Sequence, residues 1–332
     1  KHELQVLRIR LQQIHVYNTE TDELQTIDQG QWMTHGGLTN FAVSWSPDSR
    51  WIAYARGLPN RHDAVFLYDT QNGERHQVTS GYYAVSQPVF DPAGNHLFVT
   101  TAQHFSPVYS NLDNSFVYPN TTQIAAIPLR DDVPSPLHPR NDEEAGAVED
   151  ANGEDSEEEG ENADEPEAVE IGLDDFEERL VTLPATPGNY PRLAATEGRV
   201  IYHRAPRSGS GDEQAPIVMY DLDAREEQTI LDDADSFVLS ADGSTLLVFR
   251  DGRLGMVDVA PEQSVDTLLP TDELSMTLDP VAEWHQMFRE AWRLERDYFY
   301  DPNMHGVNWD QLRTRYGALI DDAATRSDVN FI

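Results

Sequence analysis

FAVSWSPDSRWIAYA, from Phe41 to Ala55, consists of an apolar run, a Ser-Pro-Asp-Ser turn and a second apolar run. The same layout recurs as SQPVFDPAGNHLFVT (Ser86 to Thr100), YPRLAATEGRVIYH (Tyr190 to His203) and SFVLSADGSTLLVF (Ser236 to Phe249). Anchored on Trp45, Phe90, Leu193 and Leu239, the copies are spaced by 45, 103 and 46 residues, and the middle interval equals one repeat plus 57 inserted residues. Asp-Ser, Ala-Gly, Glu-Gly and Asp-Gly between the flanking runs are the residues a tight hairpin turn requires. A further strand follows each hairpin: VFLYD (Val65 to Asp69), IVMYD (Ile217 to Asp221) and LGMVD (Leu254 to Asp258), with IHVYN (Ile14 to Asn18) ahead of the first. A polar turn then leads to a fourth strand such as ERHQVTS or REEQTIL. Four antiparallel strands in a unit of about 45 residues are the signature of a β-propeller blade.

The expected fold is therefore mainly β: a partial propeller of four four-stranded blades, preceded by the last two strands of a blade that begins upstream of Lys1. Such an arc of four and a half blades leaves apolar blade faces open at its ends. Trp45, Ile52, Phe66, Phe90, Leu97, Val218 and Leu247 are expected in the core, and Arg50, Asn95 and Asp242 in exposed turns. The insertion falls inside the second blade, between a third strand at Thr122 to Leu129 and a fourth at Glu178 to Leu183. Its acidic run is too polar to offset the entropy of ordering, so a disordered loop is expected over about 131–176. Asp150, Asn152, Glu154 and Glu161 fall at loop positions 1, 3, 5 and 12 of a calcium-binding pattern, but Asp155 stands where the sharp turn demands glycine, which opposes calcium binding.

At Leu278 the apolar period lengthens to about 3.6 residues. Asp279 is placed to cap a helix with Pro280 at its first position, and Val281, Trp284, Phe288, Ala291, Trp292 and Tyr298 recur on one face. Asp301-Pro302 ends that helix near Tyr300; Asn308 and Gln311 frame a second, carrying Trp309, Leu312, Tyr316 and Leu319, and Ser327 starts a third. The expected domains are 1–277, the partial propeller, and 278–332, the helical segment.

The 332 residues include 39% hydrophobic side chains, with six Trp and thirteen Tyr, which is enough for packed cores. The formal charge of -36 excludes a nucleic-acid binder, since phosphate contacts need a clustered basic face. Nineteen acidic residues lie between Asp142 and Glu178, and the remainder still carries 40 acids against 23 bases, of which Lys1 is the one lysine. The absence of cysteine excludes disulfides, thiolate chemistry and cysteine-ligated zinc. No stretch reaches the roughly 20 apolar residues of a membrane-spanning helix, and KHELQVLRIRLQ has no signal-peptide core. The chain opens without Met inside an expected strand, so an upstream leader stays possible and the compartment stays open between cytoplasmic and periplasmic or exported.

The run DPVAEWHQMFREAWRLERDYFYDPNMHGVNWDQLRTRYGALI (Asp279 to Ile320) resembles the segment of tricorn-type serine peptidases that follows the propeller, most specifically in EAWRLERDYFYDPNMHGVNW (Glu290 to Trp309). The polyacidic insertion followed by EIGLDDFEERLVTLPATPGNYPRLAA (Glu170 to Ala195) resembles bacterial members of that family. The resemblance implies a seven-bladed propeller, then helices, a PDZ domain and an α/β catalytic domain related to tail-specific processing proteases. Its implied partners are peptide substrates, with the propeller gating or channelling them, and its implied assembly is a homo-oligomer. The catalytic His and Ser of the family fall after the last residue here, so no catalytic, cofactor-binding or metal-binding residue is expected and no cofactor is implied. A TolB-like binding propeller without peptidase activity is the alternative, and the helices from 279 to 320 argue against it. The local motifs agree: the eleven histidines are dispersed, SGSG (Ser208 to Gly211) sits in a strand connection instead of a nucleophile elbow, Trp284, Phe288 and Trp292 read as packing residues, and His305-Gly306 suggests no chemistry.

Overall fold

A computed structural model of the chain describes residues 4–9, 13–30, 42–140 and 168–332. The acidic run with Asp150, Asn152, Glu154, Asp155 and Glu161 lies outside the described residues. The chain divides into two compact units, the first of residues 1–31 with 270–332 and the second of residues 32–269.

In the first unit, β1 (Leu4–Ile9), β2 (Gln13–Asn18) and β3 (Glu23–Gln29) form an antiparallel sheet. That is three strands, one more than expected, because LQVLRI pairs along its full length with QIHVYN. In the second unit the blades follow in chain order. The first has β4 (Val43–Trp45), β5 (Trp51–Gly57), β6 (Asp63–Asp69) and β7 (Arg75–Gln77). The second has β8 (Val85–Phe90) and β9 (His96–Thr101), then a separate hairpin of β10 (Val108–Ser110) and β11 (Ser115–Val117), then β12 (Gln123–Pro128) and β13 (Val181–Thr182). The third has β14 (Asn189–Thr196), β15 (Arg199–Ala205), β16 (Ile217–Asp221) and β17 (Glu226–Leu231), and the last has β18 (Ser236–Leu239), β19 (Thr245–Arg250) and β20 (Arg253–Asp258). This last blade has three strands instead of the expected four. Segment 265–268 replaces the fourth with a single bridge from Leu268 to Gly255. A Cβ on Gly255 would lie 2.2 Å from the Val265 side chain, so the glycine that distinguishes LGMVD from VFLYD and IVMYD is what lets this segment close in.

Strand alternation sends successive side chains to opposite blade faces, and the facing sides of successive blades pack on each other. Ala53, Val65 and Leu67 meet Leu97, Val99, Ala125 and Ile127 between the first two blades. Phe98, Ile124 and Ala126 meet Val200, Tyr202 and Tyr220 between the second and third. Ile201, Ile217 and Met219 meet Phe237, Leu246 and Val248 between the third and fourth. The outer face of the last blade is open, with Val238, Phe249 and Met256 all exposed. Ile52, Phe66, Phe90, Leu97 and Val218 are buried as expected, while Trp45 and Leu247 are half-buried at the thin first strand and the open last face. Asp242 is exposed, but Arg50 and Asn95 are half-buried.

The turn chemistry repeats with the blades. Ser46 Oγ donates to Asp48 (2.5 Å) and accepts from Trp51 N (2.8 Å); Ser240 Oγ donates to Asp242 (2.5 Å) and accepts from Thr245 N (3.0 Å). The terminal Asp of each Tyr-Asp pair caps the next turn: Asp69 accepts from Gln71 N (2.9 Å), and Asp221 from Asp223 N (2.9 Å) and Ala224 N (2.8 Å). Asn18 does the same for Glu20 N and Thr21 N. Arg50 pairs with Asp69 and Arg199 with Asp221, tying the two turns at that end of each blade together.

Both flanks of the expected disordered insertion are ordered. Val133, Val169 and Phe176 are buried, and Val169 and Phe176 complete the core between the first two blades. Val169 N donates to Asp48 Oδ2 (2.8 Å), and Trp51 Nε1 donates to Val169 O (3.2 Å). Phe176–Arg179 is a 3-10 turn, so the strand expected at Glu178 to Leu183 shrinks to β13. Arg179 donates to Pro128 O (3.0 Å) and Gly172 O, pairs with Asp131 (2.6 Å) and lies over the Phe176 ring. Composition alone grouped these residues with the acidic run; their apolar side chains and this arginine set them apart.

The C-terminal helices are α1 (Pro280–Tyr298), α2 (Trp309–Gly317) and α3 (Arg326–Phe331). Asp279 caps α1 by accepting from Val281 N and Ala282 N, and Asn308 caps α2 by accepting from Gln311 N. The cap of α3 is Thr325 in place of Ser327, because Thr325 and Asp328 exchange side-chain and backbone hydrogen bonds in a capping box.

Candidate functional site

The turns between the second and third strands of a blade, and between its fourth strand and the next blade, share one end of the unit. Asn60 Nδ2 (2.9 Å) and His62 Nδ1 (3.0 Å) both reach Gly81 O, joining two of these turns at the first blade. At the second blade the β10–β11 hairpin rises from the same end, with His104 N donating to Thr121 O (3.1 Å) at its root. Asn120 locks that root to the third blade: its Oδ1 accepts from Ser208 N (2.9 Å) and its Nδ2 donates to Ser208 O (3.2 Å). Tyr82 and Tyr83 are exposed beside Ala84, whose carbonyl accepts from Ala102 N just before the hairpin. A cleft of about 420 Å³ opens at the third blade, lined by Thr186, Arg204, Arg207, Asp212, Glu213 and Thr229.

Behind that cleft lies a hydrogen-bonded polar cluster, in which Arg204 Nε is buried without a partner. The Tyr202 hydroxyl and Arg204 Nη2 both donate to Glu227 Oε1, and Tyr190 donates to Thr186 O. Burial first, then the bond to Glu227, pushes the Tyr202 phenol far above its ordinary value, so it stays protonated. Burial likewise raises Tyr190. Arg204 stays charged because the bond and the attraction to Glu227 outweigh the larger single effect of burial. Burial lowers His203, and its Nε2 donates to Ala234 O (2.8 Å), fixing a neutral ring that holds one blade to the next. These groups order the blade and leave no free acid or base.

The residues that sequence reading weighed as sites occupy structural roles. Ser208 and Ser210 lie in the β15–β16 connection, with Gly209 and Gly211 at positive φ and the Ser210 hydroxyl donating to Arg207 O (2.9 Å). In α1, Trp292 faces Trp309 with nearly parallel rings 6.5 Å apart. Each indole donates to the other's backbone carbonyl, at 2.9 and 3.1 Å, and the guanidinium groups of Arg296 and Arg313 each lie 4.8 Å from the Trp292 ring. This cross-brace is what EAWRLERDYFYDPNMHGVNW encodes. Asp301 accepts from Asn303 N and His305 N, both at 2.9 Å, and faces His305 Nδ1 at 3.2 Å, while the Tyr300 hydroxyl reaches His305 Nε2. His305 therefore holds a turn, a role its sequence context did not reveal. Among the described residues no cluster of His, Asp and Glu is arranged to hold a metal.

Residues 6–260 match the sequence profile of the tricorn protease second beta propeller domain. The chain belongs to the tricorn protease family. The helices agree, since residues 280–332 match the tricorn protease C1 domain. Tricorn protease homolog 1 of Streptomyces coelicolor is 27% identical over 326 residues, covering 93% of this chain and 30% of that protein. The tricorn protease of Thermoplasma volcanium is 24% identical over 335 residues, covering 96% of this chain and 30% of its own length. The crystal structure of the tricorn protease superposes with a TM-score of 0.77 at 21% identity, over 99% of this chain and 31% of that one, which shows the same fold. The chain thus spans about 30% of the length of these tricorn relatives, over the part that matches the second propeller and the C1 domain.

Proposed function

We propose that this chain is the non-catalytic propeller and helical part of a larger serine peptidase that degrades peptides, and that the propeller admits or channels peptides toward a catalytic half in which Ser and His reside. The observation that supports this is the succession, over nearly the whole chain, of the second tricorn propeller and then the C1 domain. A binding propeller alone needs no Trp292–Trp309 brace, so that succession also favours a peptidase over a TolB-like scaffold.

The test compares two polypeptides. Residues 1–332 should show no hydrolysis of fluorogenic peptides above the buffer rate, whereas the full-length protein should hydrolyse them and lose that activity to a serine-directed phosphonate. Hydrolysis by residues 1–332 that is abolished by a point substitution within them would overturn the non-catalytic assignment, and an inactive full-length protein would overturn the peptidase reading.

A further inference from the structure

The β10–β11 hairpin is built unlike the rest of the blades. Its register pairs Val108 with Val117, Tyr109 with Phe116 and Ser110 with Ser115. Alternation places the two valines on one face and the two rings on the other, and both faces are open: Val108, Val117, Tyr109 and Phe116 are all at least half exposed. Leu112 at the tip is 96% exposed, and Phe105 at the base 74%. A two-stranded hairpin is marginal in water without a further strand or a cover, and exposed apolar surface concentrated in one element marks an interaction site.

The hairpin is also pre-shaped. Asn120 holds its root, Tyr109 donates to Asn114 Oδ1 (3.0 Å) across the tip, and Ser115 donates to Asp113 (2.8 Å). The rings sit in pairs, Tyr109 with Phe116 and Phe105 with Tyr118, each with centroids 5.4 Å apart. Tyr82 and Tyr83, 5.0 Å apart, add a third exposed pair at the same end of the blade.

Composition and charge select the occupant. Between Pro92 and Leu129 the one formally charged residue is Asp113, in a protein of net charge -36. Two such acidic bodies repel, which opposes a second copy on this surface, and an acidic ligand is repelled in the same way. Permanent interfaces resemble a divided apolar core, whereas this segment mixes Tyr and Phe with Ser110, Asn111, Asn114 and Ser115. That is the mixture of rigid aromatic anchors and small adaptable hydrogen-bonding groups found in surfaces that recognise varied sequences. Its strands pair with no blade strand, and an extended chain can add to such an edge through backbone bonds that are independent of sequence.

We propose that the hairpin Phe105–Tyr118 captures extended peptide segments with apolar, uncharged side chains. The proposal rests on the peptide-handling reading above and deepens it by naming the class of peptide and where it first binds. The test measures fluorescence anisotropy of a labelled uncharged decapeptide of Ala, Val, Leu and Phe, and of a counterpart with three Glu, against the 332-residue chain. The apolar peptide should bind at least tenfold more tightly than the acidic one. Tyr109→Ser with Phe116→Ser should weaken its binding at least tenfold, and Met256→Ser, equally exposed on the last blade, should leave it unchanged. A second pair, Phe105→Ser with Leu112→Ser, guards against misfolding of the first, and unchanged unfolding midpoints confirm that each variant is folded. Equal binding by folded hairpin variants would overturn the proposal, as would a hairpin variant that alters sedimentation and leaves peptide binding intact, which would make the hairpin an interface between copies. If the full-length protein cleaves peptides but the hairpin binds none, the hairpin proposal alone fails. If the hairpin binds peptides and the full-length protein cleaves none, the degradation reading fails and the hairpin stands as a binding arm.

Discussion

Phe176→Ala is expected to destabilise the second unit by about 3 to 5 kcal/mol, the cost of removing a large buried aromatic whose site collapses only in part. Phe176 is 2% exposed and lies in the core shared by the first two blades, with Trp51, Leu97 and Leu129. It is held there from both sides. Arg179 lies over its ring while bonding to Pro128 and Asp131 on one segment and to Gly172 on another, and the neighbouring Glu177 accepts from Ser80 N (2.6 Å). Thermal unfolding followed by circular dichroism reads the effect, as a fall of roughly 2 to 4 °C per kcal/mol in a unit of this size. A midpoint within 2 °C of the parent would mean that residues 168–176 do not belong to the blade core.

Arg50→Ala is expected to cost about 2 to 4 kcal/mol, because it strands a carboxylate that is almost wholly out of water. The Asp69 side chain is 1% exposed, and Arg50 meets it with Nη2 at 2.6 Å and Nε at 3.2 Å from both oxygens. Burial, the largest single influence, pushes Asp69 upward, but the Arg50 hydrogen bonds and the Gln71 amide outweigh it and hold the carboxyl below its ordinary value. A carboxyl depressed in the folded state stabilises above its unfolded pKa of about 3.9 and loses that contribution as the pH falls through the folded value. The difference between parent and Arg50→Ala should therefore be full near neutrality and shrink below about pH 4. Arg50→Ala combined with Asp69→Asn should recover part of the loss, since the stranded charge is gone. Denaturant titrations of the three proteins at pH 7 and pH 3.5 check this, and a pH-independent difference would show that Arg50 acts by packing over Trp51, where it lies 5.0 Å from the ring.

The blades were legible because their information is local and repeated. Alternating apolar residues, the Ser-x-Asp turn and the terminal Asp of VFLYD and IVMYD each act within a few residues of themselves, so the sequence alone determined the hairpins, the spacing of the blades and the capped start of α1. The same holds for the family, since the Glu290 to Trp309 run encodes a local brace between α1 and α2.

What composition could not decide was which part of the long insertion pays its ordering entropy. Val169 is ordered by Trp51 and Asp48 and Phe176 by the core it shares with Trp51, partners more than 100 positions away that only assembled blades bring together. Exposure of the hairpin was likewise decided by tertiary structure. FSPVYSNLDNSFVY reads as one more alternating β segment, and nothing within it states that the blade closes with β12 beside β9, leaving the hairpin without a sheet to join. Local pattern determines that strands form; which faces are covered depends on partners far along the chain, and here that choice separates a core strand from a surface open to a ligand.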